Sequence, residues 1–404
     1  MITIKQPTVT VKNGKARLTA NVEVDGASNA LWFEVDEKFA KYLCPERSDA
    51  YVLGLLRFAN LYGHDICAET PMTDVIYDGI VNQFYPAFYK VNNYTRATNV
   101  KKSFATRIIC PVAPTVEKVG DKTVVGTGVS CGVDSLHVFA QHSEVTHGCI
   151  WNGHTTGAGQ TEEKRINVWR DMILQAESFL KSVGKKLIVG DTNYDRGWMP
   201  GLAWEGYTTF GNLFCIFALQ KLWSKYYIAS NCDIHDFKLK LSIMEDPATY
   251  EFFLFPYLST AKMSVYMDGH AHRRIEKVKN LLDYLPAQQY LNVCWGVDDG
   301  FKNCTYRCAK CMRTVWSLHL LGALDKFKDR FDVEYFNAHK EEYLAEFYRG
   351  LLQRDFFMME MRPYYNGKRF NLFTKLCAIR IVLKKAIKKA LRLGKVAQGE
   401  FKSR

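Results

Sequence analysis

Between residues 122 and 230 the chain repeats one pattern: a short apolar run, a turn of small residues, then a stretch with helical spacing. KTVVGTGV (122–129) reads as a strand and VDSLHVFAQH (133–142) as a helix. HGCIWN (147–152) is a strand, and a long helix opened by Thr-Glu-Glu covers 161–183. KLIVGD (186–191) is a strand, 212–223 a helix and YYIAS (226–230) a strand. Buried apolar strands that alternate with helices require right-handed crossovers, so the expected fold is α/β with a doubly wound parallel sheet. Ligands on such sheets sit at the carboxyl ends of the strands.

The flanking regions read differently. Residues 1–115 suggest an N-terminal α+β domain. An Asn-Gly turn joins two alternating runs into a hairpin, LWFEVDEKFAKYL continues as strand and helix, and DAYVLGLLRFANLYG is a helix with a Gly stop. Pro111 and Pro114 mark a linker. The repeating section then fills a domain from 120 to 330, followed by a helical extension over 331–367 and a basic tail over 368–404. Met1 opens no secretion-signal pattern and no uncharged apolar run approaches ~18 residues, so a cytoplasmic protein is expected. The 12 cysteines of such a chain are core residues or metal ligands more readily than a disulfide framework.

The turn after the first strand of the repeat reads Ser130-Cys131-Gly132-Val133-Asp134-Ser135. A strand, a turn of small residues and a helix N-terminus form an anion site, because the first helical amides have no partner inside the helix and the dipole favours negative charge. Gly132 allows close backbone approach, and the Ser130 and Ser135 hydroxyls can donate to phosphate oxygens. Asp134 beside a phosphate implies an intervening Mg²⁺. The competing reading is a helix cap. The turn matches neither a Walker loop nor a dinucleotide fingerprint. Further on, Cys294, Cys304, Cys308 and Cys311 are spaced C-x9-C-x3-C-x2-C. Four thiolates clustered before a helix suit a structural tetrahedral Zn²⁺.

The six-residue turn resembles the Ser-Gly-Gly-x-Asp-Ser loop of the PP-loop ATP pyrophosphatases, with Cys131 in place of the first Gly. That loop, followed by a four-cysteine knot and a CxKCxRT helix, is similar to the layout of 7-cyano-7-deazaguanine synthase-like proteins. A nearer resemblance, over about residues 20–330, is to uncharacterised PP-loop proteins encoded with bacterial polysaccharide genes. It rests on NCTYRCAKCMRT, on PYLSTAKMSVYMDGHAHRRIEKVKNLL and on the LWFEVDEKFAKYL and DAYVLGLLRFANLYG segments. The resemblance implies a PP-loop/HUP-like fold, ATP, Mg²⁺ and zinc. It further implies adenylation of a small-molecule or sugar oxygen with release of pyrophosphate, then displacement of AMP by a nucleophile.

Under that reading Ser130, Cys131, Gly132, Val133, Asp134 and Ser135 hold pyrophosphate and metal. Asp134 and Ser135 are counted among the catalytic residues with Arg274 and Lys277, which would touch phosphate or substrate. A solvated helix face is the alternative for Arg274 and Lys277. Asn152 and His154 follow the second strand, and Asp191, Asn193 and Trp204 the third. Asn152 and Asn193 are taken as nucleotide contacts, against an ordinary surface loop. Cys131, Cys149, Cys215 and Cys232 could carry sulfur, although buried structural thiols are the plainer reading. Alternative functions are a 7-deazaguanine-type nucleobase, tRNA or DNA modifier and a noncatalytic nucleotide-binding component.

The net charge of +12 is local. From Lys368 to Arg404 there are twelve Lys and Arg against Glu400, so residues 1–367 carry about +1. Leu372, Leu376, Ile379, Leu383, Ala386, Ile387, Ala390 and Leu391 recur at helical steps, with Lys384, Lys385, Lys388, Lys389 and Arg392 on other faces. A basic amphipathic helix of this kind rests on an anionic membrane at the inner face, binds nucleic acid phosphates, or packs on the body. Nucleic acid ranks below the membrane, and a homodimer is kept open.

Overall fold

A computed structural model describes residues 1–84, 86, 106–120, 122–152, 162–198, 208–236, 251–294, 303–305, 308–366 and 370–383. The chain divides into two compact units, Met1–Ser130 with Gln141–Ala271, and Cys131–Ala140 with His272–Arg404. Among the described residues no helix is long and apolar enough to cross a membrane.

The first unit is α/β, built on one mixed, mostly parallel sheet of 11 strands. The strands of the N-terminal region are β1 (Ile2–Ile4), β2 (Thr8–Lys12), β3 (Lys15–Val24), β4 (Ala27–Asp36), β5 (Ile66–Ala68), β6 (Met72–Thr73), β7 (Ile108–Ile109) and β8 (Val112–Ala113). The repeating section supplies β9 (Val125–Gly128), β10 (His147–Asn152), β11 (Lys186–Thr192), β12 (Lys225–Ala229) and β13 (Ser264–Asp268). The sheet runs β13-β12-β9-β10-β11-β4-β3-β1-β5-β7, with β2 paired to β3. From β13 to β11 every pairing is parallel. The order reverses at β9, which lies between β10 and β12. This is the switch point of a doubly wound sheet, and the Ser130 turn follows β9.

Burial explains the strand types. β10 is buried at five successive positions, as a central parallel strand is. β3 alternates buried and half-buried residues, as a strand with one covered face does. Asn13 and Gly14 both have positive φ, 52° and 73°, which gives the β2–β3 hairpin the twist of a tight Asn-Gly turn. The helix α1 (Asp49–Tyr62) ends where Gly63 turns left-handed and donates its amide to the Ala59 carbonyl. The expected linker at 111–114 instead takes part in structure, because Val112 and Ala113 pair with Met72 and Thr73.

No break in the sheet separates the N-terminal strands from the repeating section. β4 pairs antiparallel with β11, Val35 opposite Gly190 and Phe33 opposite Thr192. Gly190 has a reason to lack a side chain: a Cβ there would lie 2.6 Å from Phe33 and 2.7 Å from Trp151. Those two rings meet edge to face at 5.6 Å, and Phe33 also meets Phe214 of the helix α4 (Thr208–Ala218) at 6.4 Å. The helix α3 (Glu162–Ser182) fills the crossover between β10 and β11.

The second unit is helical. It contains residues 133–140 of α2 (Val133–Gln141), then α5 (Arg274–Asn280), α6 (Ala309–Leu320), α7 (Lys340–Leu352) and α8 (Phe356–Met361). Trp316 of α6 packs at 5.6 Å from Phe347 of α7 and 6.3 Å from Phe336.

Gly190→Ala is expected to destabilise the protein by about 1–3 kcal/mol, since its methyl group must displace two packed rings. Gly128→Ala serves as the control: a Cβ there meets nothing within 4 Å. Urea unfolding of the two variants should separate them by their midpoints.

Candidate functional site

The turn after β9 is strained at one residue. Cys131 has φ +55°, the left-handed region that costs a residue with a Cβ roughly 1–2 kcal/mol. The resembling loop has Gly at this place, and the geometry shows why a Gly would suit it. Cys131 nevertheless holds the conformation. It is fully buried, and its carbonyl accepts from the Asn292 amide at 2.8 Å. Burial pushes its thiol up to about 12, with Arg330 opposing. Burial also holds the Cys149 and Cys215 thiols far above their ordinary range. None of these three is poised as a thiolate.

The helix α2 begins at once. The Leu136 amide donates to the Gly132 carbonyl at 3.0 Å, and the Ser135 hydroxyl donates to the same oxygen at 3.3 Å. Val133 is buried, so its contribution to any ligand is its backbone. Ser130 is exposed and ends the first unit.

Asp134, in the first turn of α2, carries two cations. Arg274 donates to its Oδ2 at 2.6 Å and Lys277 to its Oδ1 at 3.0 Å. Arg274 and Lys277 stand three apart on α5, so one helix face delivers both. They are not a solvated face: Lys277 is 2% exposed. Two acids hold the start of α5, with Glu276 accepting from the Arg273 amide at 2.7 Å and Glu360 from the Arg274 amide at 3.0 Å. Burial alone would raise the Asp134 carboxyl, but Arg274 and Lys277 outweigh it and hold the group well below the usual carboxylate range.

Two further cations come from α6. The Arg313 guanidinium lies 3.6 Å from the centre of the Phe357 ring, and that of Arg274 6.0 Å from the same ring. Burial, then the charge of Arg274, pushes Arg313 down to about 10. Burial, then Arg274 and Arg313, also lowers Lys310. These directions carry information. Asp134 acts on both groups in the opposite sense, joined at Arg313 by Asp355 and Glu360. Four basic side chains of the second unit thus share the surroundings of Asp134, with Asp355 and Glu360 as further counter-charges. Lys310 and Arg313 are the functional candidates that the sequence reading missed, although they stand inside the CxKCxRT pattern it singled out.

The four cysteines sit at the root of that pattern. One sulfur from each of Cys294, Cys304, Cys308 and Cys311 lies within 4.8 Å of the others. Asn303 organises the approach: its carbonyl oxygen accepts from the Val293 and Cys294 amides at 2.8 and 3.2 Å, and its amide donates to the Leu291 carbonyl at 2.9 Å. Cys308 caps α6, its sulfur accepting from the Cys311 amide at 3.4 Å. Burial and the hydrogen bond to Cys294 push Cys304 up to about 11, and the Cys308 hydrogen bond raises Cys311. The cluster could bind a metal such as zinc.

The remaining candidates lie in the first unit. Asn193 uses both ends of its amide on β4, accepting from the Trp32 amide at 3.0 Å and donating to the Ala30 carbonyl at 2.8 Å. Asn152 ends β10, is 8% exposed, and stands opposite Asp191 in the β10–β11 register. Burial raises the Asp191 carboxyl, against hydrogen bonds from the Thr192 amide and Asn152. His154 and Trp204 lie outside the described residues. Compared with family models, with curated proteins and with solved structures, the chain has no match in any of the three.

The Asp134 cluster makes a pH prediction. A carboxyl depressed in the folded state contributes stability that is complete above its unfolded value, near ~3.9, and is lost as pH falls through the folded value. Asp134→Asn is expected to cost roughly 3 kcal/mol at neutral pH, because it leaves two cations without their carboxylate. The difference between wild type and variant should stay constant above about pH 5 and shrink below ~4. Chemical unfolding across that range measures it.

Proposed function

We propose that the chain is an ATP-dependent adenylating enzyme of PP-loop type, acting on a carboxylate or carbonyl oxygen of a small molecule or sugar. The single observation that carries this reading is the gathering of Arg274, Lys277, Lys310 and Arg313 about the first turn of α2 and its Asp134. The turn that leads into α2 follows the switch-point strand, where α/β sheets take nucleotides. The resemblance of residues 130–135 to the PP-loop pattern points the same way.

In this reading the Gly132–Ser135 backbone and the four cations receive the β- and γ-phosphates. A substrate oxygen attacks the α-phosphorus, the bond to the β-phosphate oxygen breaks, and pyrophosphate leaves with the charge that the cations neutralise. A second nucleophile then attacks the activated carbon and AMP departs, taking the bridging oxygen. The incoming polyphosphate must take Arg274 and Lys277 away from Asp134. Both Asp134 oxygens are occupied by cations without a ligand; that exchange would free them, and Asp134 would then be the residue to hold Mg²⁺.

Zinc fits the cysteine cluster. Tetrahedral Zn–S bonds of about 2.3 Å put sulfurs about 3.8 Å apart, which is compatible with four sulfurs that all lie within 4.8 Å of one another. Four protein ligands leave no open position, so the metal would be structural, and it would fix the start of the helix that bears Lys310 and Arg313. A second reading, a nucleotide-binding component without turnover, is favoured by one observation: Asp134 is engaged by cations rather than turned outward.

Incubation of the protein with ATP and a metabolite extract is expected to yield AMP and pyrophosphate. Release of ADP would refute adenylation, and tight ATP binding without AMP would select the second reading. Lys277→Met and Arg313→Met should each weaken ATP binding by about 10- to 100-fold, the worth of one charged hydrogen bond. Metal analysis should find about one zinc per chain, lost in the Cys304→Ser/Cys311→Ser double variant. That variant should also lose ATP binding, as Lys310 and Arg313 lose their footing.

A further inference from the structure

The last described helix, α9 (372–383), faces the wrong way for a helix that merely packs on its own protein. Its seam on the second unit is made of small or modest residues. Thr374 and Ala378 are buried, and Cys377 and Ile381 half-buried. Asn371 caps it by accepting from the Thr374 amide at 2.7 Å, and the Thr374 hydroxyl reaches Glu341 of α7 at 3.3 Å. Its largest apolar residues point out. Leu372 is 72% exposed, Phe373 59%, Leu376 54%, Ile379 55% and Leu383 57%.

At about 100° per residue, Leu372, Leu376, Ile379 and Leu383 fall in one stripe roughly 60° wide, opposite the seam. Lys375 and Arg380, both exposed, border the stripe on its two sides. The sequence beyond continues the same composition, and from Lys368 to Arg404 basic residues outnumber acids twelve to one. The basic residues from Lys384 onward, with Ala386, Ile387, Ala390 and Leu391, lie outside the described residues.

We infer that α9 docks this protein on the surface of an anionic lipid bilayer, lying in the plane with the Leu372–Leu376–Ile379–Leu383 stripe among the acyl chains. Two features select this occupant. A continuous stripe of Leu and Ile requires an apolar solvent, which a nucleic acid backbone does not provide. The cations that border it require an anionic one, and a second copy of the same stripe would bring Lys375 and Arg380 against their own kind. Lys and Arg beside an apolar stripe keep their charge at the headgroups while their stems lie along it. The inference does not depend on the nucleotide reading.

The test is flotation of the full chain with vesicles of phosphatidylcholine alone or mixed with phosphatidylglycerol. Wild type is expected to float with the mixed vesicles and roughly tenfold less with the neutral ones. Leu376→Ser/Ile379→Ser keeps every charge and alters only exposed residues, so its thermal unfolding should match wild type. Its affinity for the mixed vesicles should fall at least about tenfold. Lys375→Gln/Arg380→Gln should reduce binding and its salt sensitivity. Failure of wild type to float would overturn the inference. So would undiminished flotation of the Ser variant, which would show charge acting alone. A wild-type dimer abolished by the same two Ser substitutions would replace the bilayer with a second copy of the chain.

Discussion

One carboxylate held between two cations, where water has little access, decides what the second unit can do. Taking Asp134, Arg274 and Lys277 out of water costs several kcal/mol per ion, and only close hydrogen-bonded geometry offsets it. Here the geometry is close, at 2.6 and 3.0 Å. Burial, then the neighbouring Arg274, lowers both Lys310 and Arg313. Asp355 and Glu360 act on Arg313 in the same sense as Asp134. The ion pair joins α2 to α5.

Each cation is placed by something else. Glu276 and Glu360 accept from the first amides of α5, so the helix that bears Arg274 and Lys277 begins at a set point. Cys308 does the same for α6, and Asn303 holds the chain segments that bring Cys294 towards the other cysteines. Lys310 lies between Cys308 and Cys311 in sequence, so whatever fastens those sulfurs also fixes its backbone. The cysteine cluster therefore sits at the root of the helix that carries Lys310 and Arg313.

The legible parts of this structure are those in which local pattern and tertiary role coincide. HGCIWN is β10 to the residue, and the helix expected over 161–183 is Glu162–Ser182, because buried parallel strands and amphipathic helices announce themselves within a few residues. The four cysteines could be read from spacing for the same reason. The pairing of β4 with β11 could not, since its signal is a bare Gly190 whose neighbours Phe33 and Trp151 are distant in sequence. Asn193 shows how a polar loop residue can be tied into the fold. Its amide bonds are made to β4, 161 and 163 residues away, partners that its own neighbourhood in sequence does not announce. Lys310 and Arg313 resemble any exposed helix positions until α5 is set beside them.

Cys131 makes the same point about substitution within a pattern. A Gly would adopt φ +55° without strain but would leave nothing buried beneath the turn. Cys accepts a strain of roughly 1–2 kcal/mol and returns some of it by burying its thiol, since a side chain of that size removed from water is worth about 1 kcal/mol. Its carbonyl is tied to the Asn292 amide at 2.8 Å. A Cys also loses less backbone entropy on folding than a Gly does. The two residues thus reach one backbone geometry by different routes, and a departure at this position does not by itself unmake the turn.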